Sequence, residues 1–161
     1  MKTKADKAKE YAALIDTCAA YVAEAKPICR EPVAVYKVLA PLMAGELQEG
    51  FWVVLLNCKN KMIGAPVRVT LGLLNSTQVH PRETFRPAIL AGANAVILAH
   101  NHPSGDPTPS AEDITITKTI VEAGEVLKIR VIDHLVIGEK DNPDGASYVS
   151  LREKGLCRFA C

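Results

Sequence analysis

The chain of 161 residues contains no run of about eighteen uninterrupted apolar residues, so a membrane-spanning helix is not expected. It has no excess of either charge. Against 18 Asp and Glu stand 19 Lys and Arg, and a net charge of +1 lacks the basic footprint that phosphate backbones require. Lys2, Lys4, Lys7 and Lys9 do cluster, but Asp6 and Glu10 interrupt them, which reads as one polar helix face and not as a DNA-binding arm. No Cys-x-x-Cys occurs. The five cysteines, Cys18, Cys29, Cys58, Cys157 and Cys161, are scattered and odd in number, which points to reduced thiols. Charged residues at Asp6, Lys7, Lys9 and Glu10 occupy the place of a secretory apolar region. These absences predict a cytoplasmic protein without a membrane partner. Repeats and low-complexity segments are also missing.

What is present is ordinary globular composition, 48% apolar and 23% charged, in a chain long enough to bury one proper core. Apolar spacing predicts an amphipathic helix from Lys4 to about Ala25, ended by Pro27, and a second from Pro32 to about Ala44, with Gly45 just past its end. Phe51–Leu56 and Met62–Leu74 read as strands joined by the polar turn Asn57–Lys61. Gly64, Pro66 and Gly72 make the second of them bulged or an edge. A helix from Pro81 to about Ala91, a buried strand Ala95–Ala99 and a long helix Ser110–Leu127 follow. Strands Ile129–Ile137 and Tyr148–Leu151, linked by the Asp141–Gly145 loop, close the sheet. The expected fold is α/β (α+β), a mixed β-sheet flanked by helices on both faces.

The chemistry concentrates in Val96-Ile-Leu-Ala-His100-Asn-His102-Pro-Ser-Gly-Asp-Pro-Thr-Pro-Ser110-Ala-Glu-Asp113. On a strand, residues two apart share a face, so His100 and His102 aim into one small volume. Two imidazoles and a carboxylate suit a catalytic zinc, whose fourth position stays open for water. Asp113 is the natural third ligand. Pro103, Pro107 and Pro109 stiffen the loop, and the following helix presents its first turn to the strand end. Ser110-Ala-Glu-Asp113 is equally a capping box, and the two roles are compatible, because a helix N-terminus favours an ionised carboxylate. His80 is expected at the surface. His134 lies in an alternating strand where it and Asp133 take opposite faces, and it is expected as a buried histidine that supports the site from outside.

His-x-His, Pro-Ser-Gly and Ser-x-x-Asp resemble the metal-binding signature of the JAMM metalloproteases, and the wording here is most similar to their RadC-like branch. The resemblance covers roughly Pro32 to Leu156, including Val79-His-Pro-Arg-Glu83, Ile132-Asp-His134 and Tyr148-Val-Ser-Leu-Arg-Glu153. It implies a JAB/MPN-like, cytidine-deaminase-like three-layer domain over residues 32–161, preceded by an N-terminal helical extension over residues 1–31. It implies zinc on His100, His102 and Asp113, and a glutamate as general base acting on water. Glu49, leading into Phe51–Leu56, is the candidate for that base, with Glu46 and then Glu83 as fallbacks. The resemblance also carries over Ser110 as a hydroxyl that hydrogen-bonds developing negative charge.

Three functions compete at this stage. The first is a JAMM-type zinc metallopeptidase acting on a polypeptide substrate at peptide or isopeptide bonds. The second is a binding module in DNA metabolism, disfavoured by the near-neutral charge. The third, a zinc deaminase, fails because the Pro-Cys-x-x-Cys ligand pair is missing. Asn101 stands where the deubiquitinating relatives carry Ser or Thr, which argues against ubiquitin-type substrates.

Overall fold

The computed structural model describes residues 3–72, 79–139 and 147–159. The predicted Asp141–Gly145 loop, the last two residues of the predicted second strand, Lys2 and Cys161 lie outside them. Helices α1 (Lys4–Ala25), α2 (Pro32–Met43), α3 (Pro81–Leu90) and α4 (Ala111–Leu127) alternate with strands β1 (Gly50–Leu56), β2 (Val67–Leu71), β3 (Ala95–Asn101), β4 (Arg130–Ile137) and β5 (Tyr148–Ser150). The sheet order is β2-β1-β3-β4-β5, antiparallel except for the parallel β3–β4 pair. This is the predicted mixed sheet.

Local chemistry sets the helix ends. Thr3 and Asp6 form a reciprocal capping box at the start of α1, and left-handed Lys26 closes it. Pro32 and Pro81 occupy first-turn positions, where a missing N–H costs nothing. Ser110 is the N-cap of α4, not its first residue. The predicted strand Met62–Leu74 shortens to β2, Val67–Leu71. Gly64 at φ +67° and Pro66, which has no N–H, stop the ladder, and Met62 keeps only an isolated bridge to Leu56.

One face of the sheet packs α1 and α2 over Trp52, Val54, Leu56, Ile97, Ala99, Ile132 and Leu135. The other packs α3 and α4 over Phe51, Val53, Val96, Leu98 and Val131. β3 is buried throughout because it lies mid-sheet with helices on both sides, which is why its first five residues, Ala95 to Ala99, are continuously apolar. α1 joins the same core, with Val22 and Cys29 buried, and Pro27 and Cys29 hydrogen-bond the turn at residues 60–62. Burial pushes the Cys29 thiol up to about 12, so it acts as a core hydrophobe.

A single extra residue in β4 controls the site. Val96 pairs with Val131, but Ile97 pairs with Asp133, so Ile132 is bulged out. Past the bulge, His134 stands opposite Leu98 and shares the face of His100, while Asp133 takes the other face.

Candidate metal centre

β3 ends at the site. His100 is its penultimate residue, and His102 follows just beyond, still tied to β4 through His102 N–H to Ile137 O at 2.8 Å. The α4 N-terminus delivers Asp113 from the same face. Ligand atoms of His100, His102 and Asp113 gather within 4.8 Å of one another. His100 Nε2 lies 3.0 Å from His102 Nε2 and 3.2 Å from Asp113 Oδ1, and His102 Nε2 lies 3.5 Å from Asp113 Oδ2. A tetrahedral ion at about 2.0–2.1 Å from its ligands spaces them about 3.3–3.4 Å apart. The two imidazole nitrogens and the Asp113 carboxylate lie near that spacing, with His100 facing Oδ1 and His102 facing Oδ2.

Hydrogen-bond accounting fixes which ring nitrogens face the centre. Thr117 Oγ1 donates to the Asp113 backbone carbonyl at 2.6 Å, which uses its only proton. It must then accept from His134 Nδ1–H, also at 2.6 Å. His134 Nε2 is left to accept, at 2.8 Å, from His100 Nδ1–H. His102 Nδ1–H donates to Asp106 O at 2.8 Å. With both imidazoles neutral, bare Nε2 lone pairs turn toward each other and toward a carboxylate. Such a pocket demands a cation.

The electrostatics agree. Burial pushes Asp113 upward, but the two imidazoles and the Ser110 amide outweigh it and hold the carboxyl well below the usual carboxylate range. Burial works against a charged His102, yet hydrogen bonds to Asp113 and Asp106 O and the nearby Glu49 charge raise it overall. His134, wholly enclosed and next to His100, is held well below the ordinary histidine value, so it stays neutral as the relay requires.

Ser110 is the N-cap. Its hydroxyl donates to Asp113 Oδ2 at 2.7 Å and accepts from Asp113 N–H at 3.1 Å, while Ser110 N–H donates to the same Oδ2 at 2.7 Å. Oδ2 is thereby occupied, and Oδ1 is turned to His100. Glu49 is half-buried in the turn before β1. Extending the β1–β3 ladder two residues past its Phe51–His100 pair sets Glu49 level with His102. The fallbacks are engaged elsewhere: Glu46 pairs with Arg68 at 3.2 Å and Glu83 with Arg82 at 3.2 Å. His80 is half-buried at the N-cap of α3, not on the surface. A cleft of about 240 Å³, lined in part by Tyr36, Met43, Glu46, Asn101, His102 and Glu139, opens beside His102.

His134 is buried, as expected, and hydrogen-bonds His100. Thr117 and Asn101 were not anticipated from sequence. Thr117 stands four residues after Asp113, on the same helix face, which is the signal that could have found it. Asn101 points away from the centre, and its amide accepts from Gly50 N–H at 2.8 Å and donates to Gln48 O at 3.0 Å. Asp133 ties β4 to β5, accepting from Ser150 Oγ at 2.6 Å and Arg152 N–H at 3.1 Å. Cys157 is buried against Ile114 O and belongs to no ligand cluster among the described residues.

The RadC-like JAB domain profile matches residues 29–156. A UPF0758 protein of Symbiobacterium thermophilum is 51% identical over 138 residues, covering 83% of this chain and 56% of the relative. Its counterpart in Caldanaerobacter subterraneus is 48% identical over 128 residues, 80% of this chain and 52% of that one. One from Methanosarcina barkeri is 42% identical over 138 residues, 86% and 57%. The chain thus spans about half the length of these relatives, whose names state no activity.

Proposed function

The chain belongs to the RadC-like JAB domain family, and from that premise we propose that it is a zinc-dependent hydrolase of the JAMM type cleaving peptide or isopeptide bonds in the cytoplasm. The observation that carries the reading is the facing pair of bare imidazole nitrogens beside Asp113 Oδ1. His100, His102 and Asp113 would hold the ion, and three protein ligands are the count of a catalytic zinc with room for water. When bound, zinc lowers the pKa of water toward neutrality and polarises a carbonyl.

The rest of the work falls to the chain itself. Glu49, level with His102, takes the proton of the attacking water and passes it to the leaving amine. Ser110 orients Asp113. It serves as an oxyanion donor only if its hydroxyl proton turns from Oδ2 to the substrate. β2 is an outer strand of the sheet, and the backbone edge it turns away from β1 suits pairing with an extended polypeptide.

Metal analysis and hydrolysis of a broad peptide library test this together. Zinc is expected on the wild-type chain and lost in His100→Ala/His102→Ala. Glu49→Gln should keep its zinc and lose about 10²–10⁴-fold in rate. Zinc retained by the double variant, or full activity in Glu49→Gln, would refute the assignment. Submicromolar DNA binding at physiological salt with no cleavage by the zinc-loaded chain would replace the peptidase by a nucleic-acid-binding module.

A further inference from the structure

We infer that Asn101, the residue between the two histidines, is a positioning residue that sets Glu49 against the metal centre. The inference rests on the proposed role of Glu49 as the base. Asn101 is 5% exposed, and both ends of its amide are used on one short stretch of backbone. Its Oδ1 takes the Gly50 N–H and its Nδ2 reaches the Gln48 carbonyl, so it grips the chain on both sides of Glu49. A third bond, Gly72 N–H to Glu49 O at 2.8 Å, fixes the same peptide from the residue after β2. Gly50 makes room for the grip, since a Cβ there would meet Trp52 Nε1 at 3.0 Å and Asn101 Oδ1 at 3.4 Å.

The consequence is geometric. One tripeptide, His100-Asn101-His102, presents two ligands on one side and the clamp on the other. The distance from base to metal is therefore fixed within a single stretch of backbone and does not depend on the register of a remote loop. An amide suits this place. It offers an acceptor to Gly50 and a donor to Gln48 through two separate heavy atoms, whereas a serine hydroxyl would have to make both bonds through one.

The test is a double-mutant cycle on the full chain loaded with cobalt(II), whose visible bands respond to ligand geometry and neighbouring charge. Glu49→Gln is expected to shift the bands. Asn101→Asp keeps an acceptor for Gly50, lacks the donor for Gln48, and is expected to shift them in the same direction. Placed on Glu49→Gln, it should add nothing, because its effect runs through Glu49. Cobalt affinity of Asn101→Asp should stay within about threefold of wild type, since the ligands face the other side. With zinc, its peptide hydrolysis should fall about 10–100-fold in kcat, as misplacement of a reacting group does. Asn101→Ala runs the same cycle if the Asp variant is recovered unfolded. Additive band shifts, unmoved bands in the Asn101 variants, or a cobalt affinity lowered more than about tenfold overturn the inference. Coupled bands in a wild-type chain that cleaves no peptide would remove the peptidase reading and leave the clamp standing.

Discussion

Thr117 has a single hydroxyl proton, and that proton orders the whole centre. Given to the Asp113 carbonyl, it forces His134 to donate through Nδ1, His100 to donate through Nδ1, and His100 Nε2 to face the cluster bare. Thr117→Val keeps the shape and removes the relay. The expected cost is about 1–3 kcal/mol of stability, from the buried His134 N–H left without an acceptor. Zinc affinity should fall about 10–100-fold, as it does when the outer partner of a histidine ligand is lost. Chelator competition measures the second effect, and nitrogen-15 NMR of the imidazoles reads the tautomer directly. Unchanged affinity with an unchanged tautomer would mean that the hydroxyl has no such part. The gathering of His100, His102 and Asp113 was legible from spacing taken with the family resemblance, because His-x-His on a strand and Ser-x-x-Asp at a helix start each have a fixed geometry. Thr117 and Asn101 were not. Their roles depend on what lies 17 and about 50 residues away in sequence.

Among elements, the loop between β3 and α4 is seated on Gly138. A Cβ at that position would fall onto the Gly105 carbonyl and lie 2.9 Å from Pro107 Cδ. Gly138→Ala must therefore push the loop outward and drag His102, whose ring is held by Asp106 O from the same loop. The variant should lose zinc affinity by about 10–100-fold. Its denaturation midpoint should change less than that of Gly124→Ala, where a Cβ meets Ile129 O at 2.6 Å in the α4–β4 core. Equal losses of affinity in both variants would show that the loop seat has no special coupling to the centre. Element existence was legible from sequence because α1 and α4 carry capping boxes, α2 and α3 begin on proline, and β1 and β3 hold apolar runs. The bulge at Ile132 was not legible. Alternation across Ile129–Ile137 puts Asp133 and His134 on opposite faces whether or not a residue is extruded, and only pairing with β3 decides which of them meets His100. β2 was overcalled for a related reason: its apolar content continues through Gly64 and Pro66, where the backbone cannot.

Over the whole molecule, the centre makes stability a function of pH, with opposite signs on the two sides of the ordinary histidine value, 6.5. His134 is depressed well below that value by burial and by His100. Between its folded and unfolded pKa values the unfolded chain binds a proton that the native chain refuses, so stability drops as pH falls below about 6.5. His102 is raised overall, burial being outweighed by its partners. Below 6.5 it is charged in both states and adds no slope; above, the native chain holds a proton the unfolded chain lacks, so stability drops as pH rises through its folded value. Asp113, held low against its burial, steepens the loss again below 3.8, where the unfolded carboxylate protonates first. The metal-free protein should thus show a bell-shaped denaturation midpoint with its top near 6.5. Zinc takes the place of the His102 proton, so it should lift the alkaline limb, by about 2.7 kcal/mol at a hundredfold excess over Kd, and fade on the acid limb as the ligands protonate. Denaturant titrations across pH, in chelator and then in zinc, make the measurement. His134→Gln should flatten the acid limb and leave the alkaline one in place. A loss of stability between about 6.5 and 3.8 that survives that substitution, or zinc that stabilises equally at both ends, would place the controlling protons outside this cluster.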